Sequence, residues 1–254
     1  MSTLDRGAVR LHYERGGSGL PVLLTHGFSA TGDMWNPQRE PLEAEYQLTT
    51  WDLRGHGRTE CPFDQRLYTH AQAVADMAAL LDEAGAEQAV VGGLSLGGFL
   101  SLAFYAAHPE RVRALILCDT GPGYRKDEAR GAWNDTAHRW ADDFEERGLE
   151  ALRGRSREMQ EAASLHGSAQ GLALAARGLL AQFDSTVIDV LPEIAVPTLI
   201  VVGSEDKPYL APCEYMASKI PNARHEVVAD AGHSVNLDQP EVVNELFLDF
   251  LGSL

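Results

Sequence analysis

The sequence predicts an α/β fold: a mostly parallel twisted sheet with helices on both faces and a helical segment inserted between two late strands. Three observations carry this. Short Leu-rich or β-branched runs alternate with longer helical patterns along most of the 254 residues. Those runs are apolar throughout, as a sheet covered on both faces requires. From Gly121 to Val190 the alternation stops, and the chain is rich in Ala, Arg, Glu and Leu, with Trp133, Trp140 and Phe144 but no strand pattern. The expected division is therefore a core of residues 1–120 and 191–254 with a helical cap, or lid, of residues 121–190.

At the N-terminus, "AVRLHYERGG" and "GLPVLLTHG" read as two strands meeting antiparallel, with Gly16, Gly17 and Gly19 in the turn between them. "YQLTTWD" follows as a strand, and "THAQAVADMAALLDEAG" as an amphipathic helix. "QAVVGG" is a buried strand that runs through "LSLGG" into the apolar-faced helix "FLSLAFYAAHPERV", which Pro109 stops. After the strand "RALILCDT" comes the helical insertion, and the alternation then resumes. "PTLIVVG" and "RHEVVADAG" are strands, while "PYLAPCEYMASKI" and the closing "PEVVNELFLDFL" are helices. In such sheets ligands sit beyond the carboxyl ends of the strands.

The net charge of −16 argues against nucleic acid or an anionic membrane as a partner. No apolar run approaches the length of a membrane span, and the N-terminus lacks the basic and apolar regions of a signal peptide. Cys61, Cys118 and Cys213 share no metal or redox spacing, and Cys118 reads as a small buried hydrophobe. A reducing cytoplasm is the expected setting, with no metal and no organic cofactor.

Glycine weakens strands and helices alike, yet Gly92, Gly93, Gly97 and Gly98 surround Ser95. Gly93-Leu94-Ser95-Leu96-Gly97 fits G-x-S-x-G, the sharp strand-to-helix turn that displays a nucleophilic serine. The N–H groups opening the following helix favour negative charge. A serine hydroxyl needs a base. Of nine histidines, His233 in "ADAGHSVNLDQP" stands in a loop at a carboxyl end of the sheet, whereas His26 and His56 read as turn framework. The imidazole in turn needs a carboxylate to fix its tautomer. Asp206 of "VVGSEDKP" is the first choice and Asp119 of "LILCDTGPG" the competitor.

The order Ser95, Asp206, His233 is that of an α/β-hydrolase, and the resemblance runs nearly the full length. "LLTHGFSATGDMW" resembles the family's HG segment, and "WDLRGHGRT" its D-x-R-G-H-G-x-S turn, with Thr59 where serine is commoner. "GLSLGG" resembles the elbow, "VGSEDKP" the acid turn and "AGHSVNLDQPEVV" the histidine loop. The resemblance implies a catalytic set of Ser95, Asp206 and His233, with backbone N–H groups of Phe28 and Leu96 as the oxyanion hole. It points to the carboxylesterase and enol-lactone hydrolase branch, hence to a small-molecule ester or lactone as substrate. Carbon–carbon bond hydrolases of ring-cleavage products, cofactor-free perhydrolases and non-catalytic ligand receptors are the alternatives. Trp35, Trp133 and Trp140 are candidates for an apolar substrate pocket.

Overall fold

In the computed structural model, which describes residues 2–254, eight strands join in one sheet. They are β1 (Ser2–Asp5), β2 (Arg10–Gly16), β3 (Pro21–Thr25), β4 (Gln47–Trp51), β5 (Ala89–Leu94), β6 (Val112–Cys118), β7 (Thr198–Gly203) and β8 (Ala223–Val228). Their spatial order is β1-β2-β4-β3-β5-β6-β7-β8. From β4 to β8 every pairing is parallel, and only β1 and β2 run antiparallel to their neighbours.

This order corrects the sequence reading at one point. β2 and β3 are not hairpin partners: β4 lies between them, with Tyr13 opposite Trp51 on one side and Leu23 opposite Thr49 on the other. The cause is burial. In β3, Val22, Leu23 and Leu24 are all buried, so the strand belongs at the centre, whereas β2 carries the partly exposed Glu14 and Arg15 and suits a place near the edge.

Alternate residues of the central strands feed two apolar layers. Leu23, Val91, Leu115 and Ile200 face one layer, which is closed by α2 (His70–Glu83), α3 (Leu96–Ala107) and α8 (Lys207–Lys219). Their buried Met77, Leu100 and Met216 fill it. Val22, Val90, Ile116 and Val201 face the other, against Leu42 of α1 (Asn36–Glu43) and Phe247 of α10 (Pro240–Gly252).

Between β6 and β7 the chain forms α4 (Asp127–Arg147), α5 (Arg157–Ala162), α6 (Ala169–Ala175) and α7 (Thr186–Asp189). Ala137, Ala141 and Phe144 of α4 recur at helical spacing and are its buried face. Gly148, at φ 61°, ends that helix in a conformation costly for other residues. The last short helix, α9 (Val235–Asp238), follows the His233 loop. No helix among the described residues is long and apolar enough to cross a membrane.

Candidate active site

Ser95 stands at the carboxyl end of β5, one residue before α3, with φ 54° and ψ −114°. That backbone is strained for a residue with a Cβ, at a cost of about 1–3 kcal/mol. The flanking glycines explain how it is tolerated. A Cβ on Gly97 would collide with the Thr25 carbonyl, and one on Gly93 would lie 2.5 Å from the same oxygen. The serine N–H donates to the Cys118 carbonyl at 2.9 Å, which ties the turn to β6.

Two peptide planes near Ser95 are oriented from behind. Across a trans peptide the C=O and N–H point in opposite directions. The Ser95 carbonyl accepts from Thr120 Oγ1 at 2.6 Å and from the Phe99 N–H at 3.0 Å, so the Leu96 N–H on that plane is aimed the other way. The Gly27 carbonyl lies 2.6 Å from His26 Nδ1 and accepts from the Ala30 N–H at 3.1 Å, which aims the Phe28 N–H. His26 Nε2 accepts from the Leu53 N–H at 2.9 Å, so Nδ1 carries the proton and donates it to Gly27. Burial pushes this imidazole down to about 4, so it stays neutral. Neither the Leu96 nor the Phe28 N–H has a backbone acceptor among the described residues.

Asp206 follows β7 in a turn and is buried, and its Oδ2 lies 2.7 Å from His233 Nδ1. Desolvation pulls the His233 imidazole down. The Asp206 hydrogen bond and the charges of Asp206, Glu158 and Asp119 more than offset it, leaving the group above its ordinary value. Asp119 has a different place. One of its oxygens accepts from the Gly203 N–H at 2.9 Å and the other from the Val235 N–H at 3.1 Å. It thus ties the end of β7 to the histidine loop, and burial pushes it well above the usual carboxylate range.

Ser95 and Leu96 line a cavity of about 150 Å³ together with Phe99, Trp133, Gln182 and Tyr209. Trp133 is held there by its indole N–H, which donates to the Leu180 carbonyl at 2.8 Å. The other two candidate tryptophans are elsewhere. Trp35 is fully buried in the opposite layer, 6.4 Å from the Phe247 ring, because the chain entering α1 turns it beneath α10. Trp140 does not line the cavity either. It packs edge-on against Phe28 at 5.7 Å, with the Arg155 guanidinium 4.0 Å over its ring.

Three residues near the site carry no local sequence signal. Tyr209 lies on the first turn of α8, its ring 4.8 Å from that of His233 and its hydroxyl beside that of Ser95. Burial pushes its phenol up to about 12, so it remains a neutral donor. The other two come from the helical insertion. His166 accepts from the Gly57 N–H at 3.0 Å and donates from Nε2 to the Ser29 carbonyl at 2.9 Å, next to Phe28. Glu158 is buried and accepts from Ser156 at 2.6 Å and from Ser234, the neighbour of His233.

Among known proteins, the alpha/beta hydrolase family matches residues 22–246. The 3-oxoadipate enol-lactonase 1 of Acinetobacter baylyi is 29% identical over 92% of this chain and 89% of its own. A thermophilic esterase from Thermogutta terrifontis, solved with malate bound, superposes with a TM-score of 0.84 at 31% identity, over 99% of this chain and 96% of that one. An esterase from Exiguobacterium antarcticum gives 0.83 at 25% identity, over 96% of each.

Proposed function

Because this chain belongs to the alpha/beta hydrolase family, we propose that it is a serine hydrolase of carboxylic esters or lactones. The observation that carries the reading is the 2.7 Å bond between His233 and Asp206, at an edge of the sheet where the strained elbow presents Ser95. Asp206 accepts a hydrogen bond from the Nδ1–H of His233, which keeps that proton on Nδ1 and leaves Nε2 free to take the proton of Ser95. Ser95 Oγ then attacks the substrate carbonyl. The negative charge that develops on the carbonyl oxygen is met by the N–H groups of Leu96 and Phe28. His233 returns its proton to the leaving alkoxide, and the acyl group stays on Ser95. Water, deprotonated by His233, releases the acid and restores the serine. Residues 121–190 act as a cap that shapes the substrate cavity by supplying Trp133, Leu180 and Gln182.

The reading is tested with a fluorophosphonate and p-nitrophenyl butyrate. One phosphonate adduct per chain is expected, mapped to the peptide carrying Ser95, with turnover lost in step with labelling. Labelling elsewhere, or turnover that survives complete labelling of Ser95, would refute the nucleophile. Negligible turnover of every ester and lactone tried, with small molecules still bound, would make the protein a binding module instead.

Thr120 offers a second check, since its hydroxyl holds the Ser95 carbonyl and so the plane of the Leu96 N–H. Losing an oxyanion donor outright costs about 10²–10³ in kcat. Thr120→Val leaves the N–H in place but loosens it, so a fall of about tenfold in kcat with KM nearly unchanged is expected from the same effect. Steady-state kinetics on one ester reads it, and an unchanged kcat would show that the plane is held without Thr120.

A further inference from the structure

Among the described residues that line the cavity, Gln182 is the one with a buried side-chain polar atom that has no hydrogen-bond partner. It is 8% exposed, and its Oε1 is shut away from solvent with no hydrogen bond. Its backbone, by contrast, is gripped on both sides. Asn134 Oδ1 accepts from the Gln182 N–H at 2.8 Å, and Asn134 Nδ2 donates to the Gln182 carbonyl at 2.7 Å. Two residues earlier the Leu180 carbonyl accepts from the Trp133 indole. Adjacent residues of α4 therefore pin the backbone of segment 180–182 at the cavity, and the carboxamide projects from it with its Oε1 close against Gly123. A buried amide left unpaired costs free energy that a protein avoids unless another group supplies the missing bond.

The remaining wall says what kind of group that is. None of the fourteen residues lining the cavity carries a formal charge, and the chain as a whole has a net charge of −16. An anionic substrate group would be desolvated there without a counter-charge, which is costly. A carboxamide can present either its N–H or its oxygen, so it matches a neutral group that accepts and donates. The cavity volume of about 150 Å³ is of the size that holds a benzene ring.

We infer that Gln182 is a specificity-determining residue that selects uncharged esters or lactones bearing an amide or hydroxyl group, and that carboxylate-bearing ones are disfavoured. This rests on the serine-hydrolase reading above. The mechanism is a single neutral hydrogen bond in a desolvated wall. Substrates lacking the group leave the carboxamide unpaired and lose that bond in both ground and transition states.

The test uses p-nitrophenyl esters with an acetamido group attached at carbon 2, 3 or 4 of the acyl chain, each paired with the plain alkanoate of equal length. The quantity read is the ratio of kcat/KM within a pair, compared between the wild type and Gln182→Met. Taking this ratio of ratios cancels the intrinsic reactivity of the esters. For at least one position the ratio is expected to fall about tenfold in the variant, as the loss of one neutral hydrogen bond implies. In the wild type the hemiglutarate ester should be turned over more slowly than the pentanoate. The inference is overturned if no ratio moves on substitution, or if the hemiglutarate is the better substrate. Absence of Ser95-dependent turnover of any of these esters would instead count against the hydrolase reading itself. A matched melting temperature for Gln182→Met shows that the fold is not the cause.

Discussion

Ser95→Ala is expected to lower kcat for ester hydrolysis by about 10⁴-fold or more, because the covalent path is lost and only binding and the oxyanion donors remain. The elbow itself should survive. Alanine also carries a Cβ, so the strained backbone at φ 54° is neither relieved nor worsened. The serine N–H bond to the Cys118 carbonyl is a main-chain bond that the substitution leaves alone. Melting temperature and circular dichroism should therefore match the wild type while turnover collapses. The measurement is kcat on p-nitrophenyl butyrate with both proteins purified in parallel. Near-wild-type turnover would remove Ser95 from the mechanism.

Asp206→Asn should cost about 10³–10⁴ in kcat, on the precedent of the same exchange in a serine protease triad. Asparagine keeps the shape but can turn an NH₂ toward His233 Nδ1, and that favours the tautomer with its proton on Nε2, where the base is needed. The pH profile adds a second readout with a definite sign. His233 works as a base only when neutral, and its pKa is raised by the Asp206 bond and the surrounding carboxylates. The acid limb of kcat/KM in the wild type should therefore lie above histidine's ordinary 6.5. Removing the charge of Asp206 should shift that limb to lower pH. Asp119→Asn is the companion variant. It replaces an acceptor of two backbone N–H groups, so its effect should fall mainly on melting temperature. If Asp119→Asn moves the acid limb and Asp206→Asn does not, the partner of His233 has been misassigned.

The strand-to-helix turn at Ser95 was legible because its signal is local: the glycines that the backbone needs sit within three residues of the serine. The loops carrying Asp206 and His233 were legible because they follow apolar strands, and strand ends gather at one edge of a parallel sheet. Pairing order was not, since nothing in β2 or β3 records that a strand some thirty residues later comes between them. β1 left no trace because "STLD" is short and mostly exposed, with no apolar alternation. Trp35 misled for a related reason. An aromatic residue in a loop advertises burial but not which side of the sheet receives it, and the answer depended on α10 from the far end of the chain. Glu158, His166 and Gln182 were hidden in helical sequence, where a buried polar group looks like a solvated one until its distant partner is known.

The two bonds that His166 makes to Gly57 and Ser29, and the grip of Glu158 on Ser234, bear on how this scaffold can be re-engineered. Exchanging residues 121–190 for the corresponding segment of another hydrolase is an obvious route to new cavity walls. Here such a graft would also remove a brace from the loop of Phe28 and another from the loop of His233, since both braces are anchored in the exchanged piece. Chimeras that lack a histidine and a buried carboxylate at these two places would inherit the new walls together with a slack reaction centre. Transplanting the pair along with the walls keeps shape and chemistry independently adjustable.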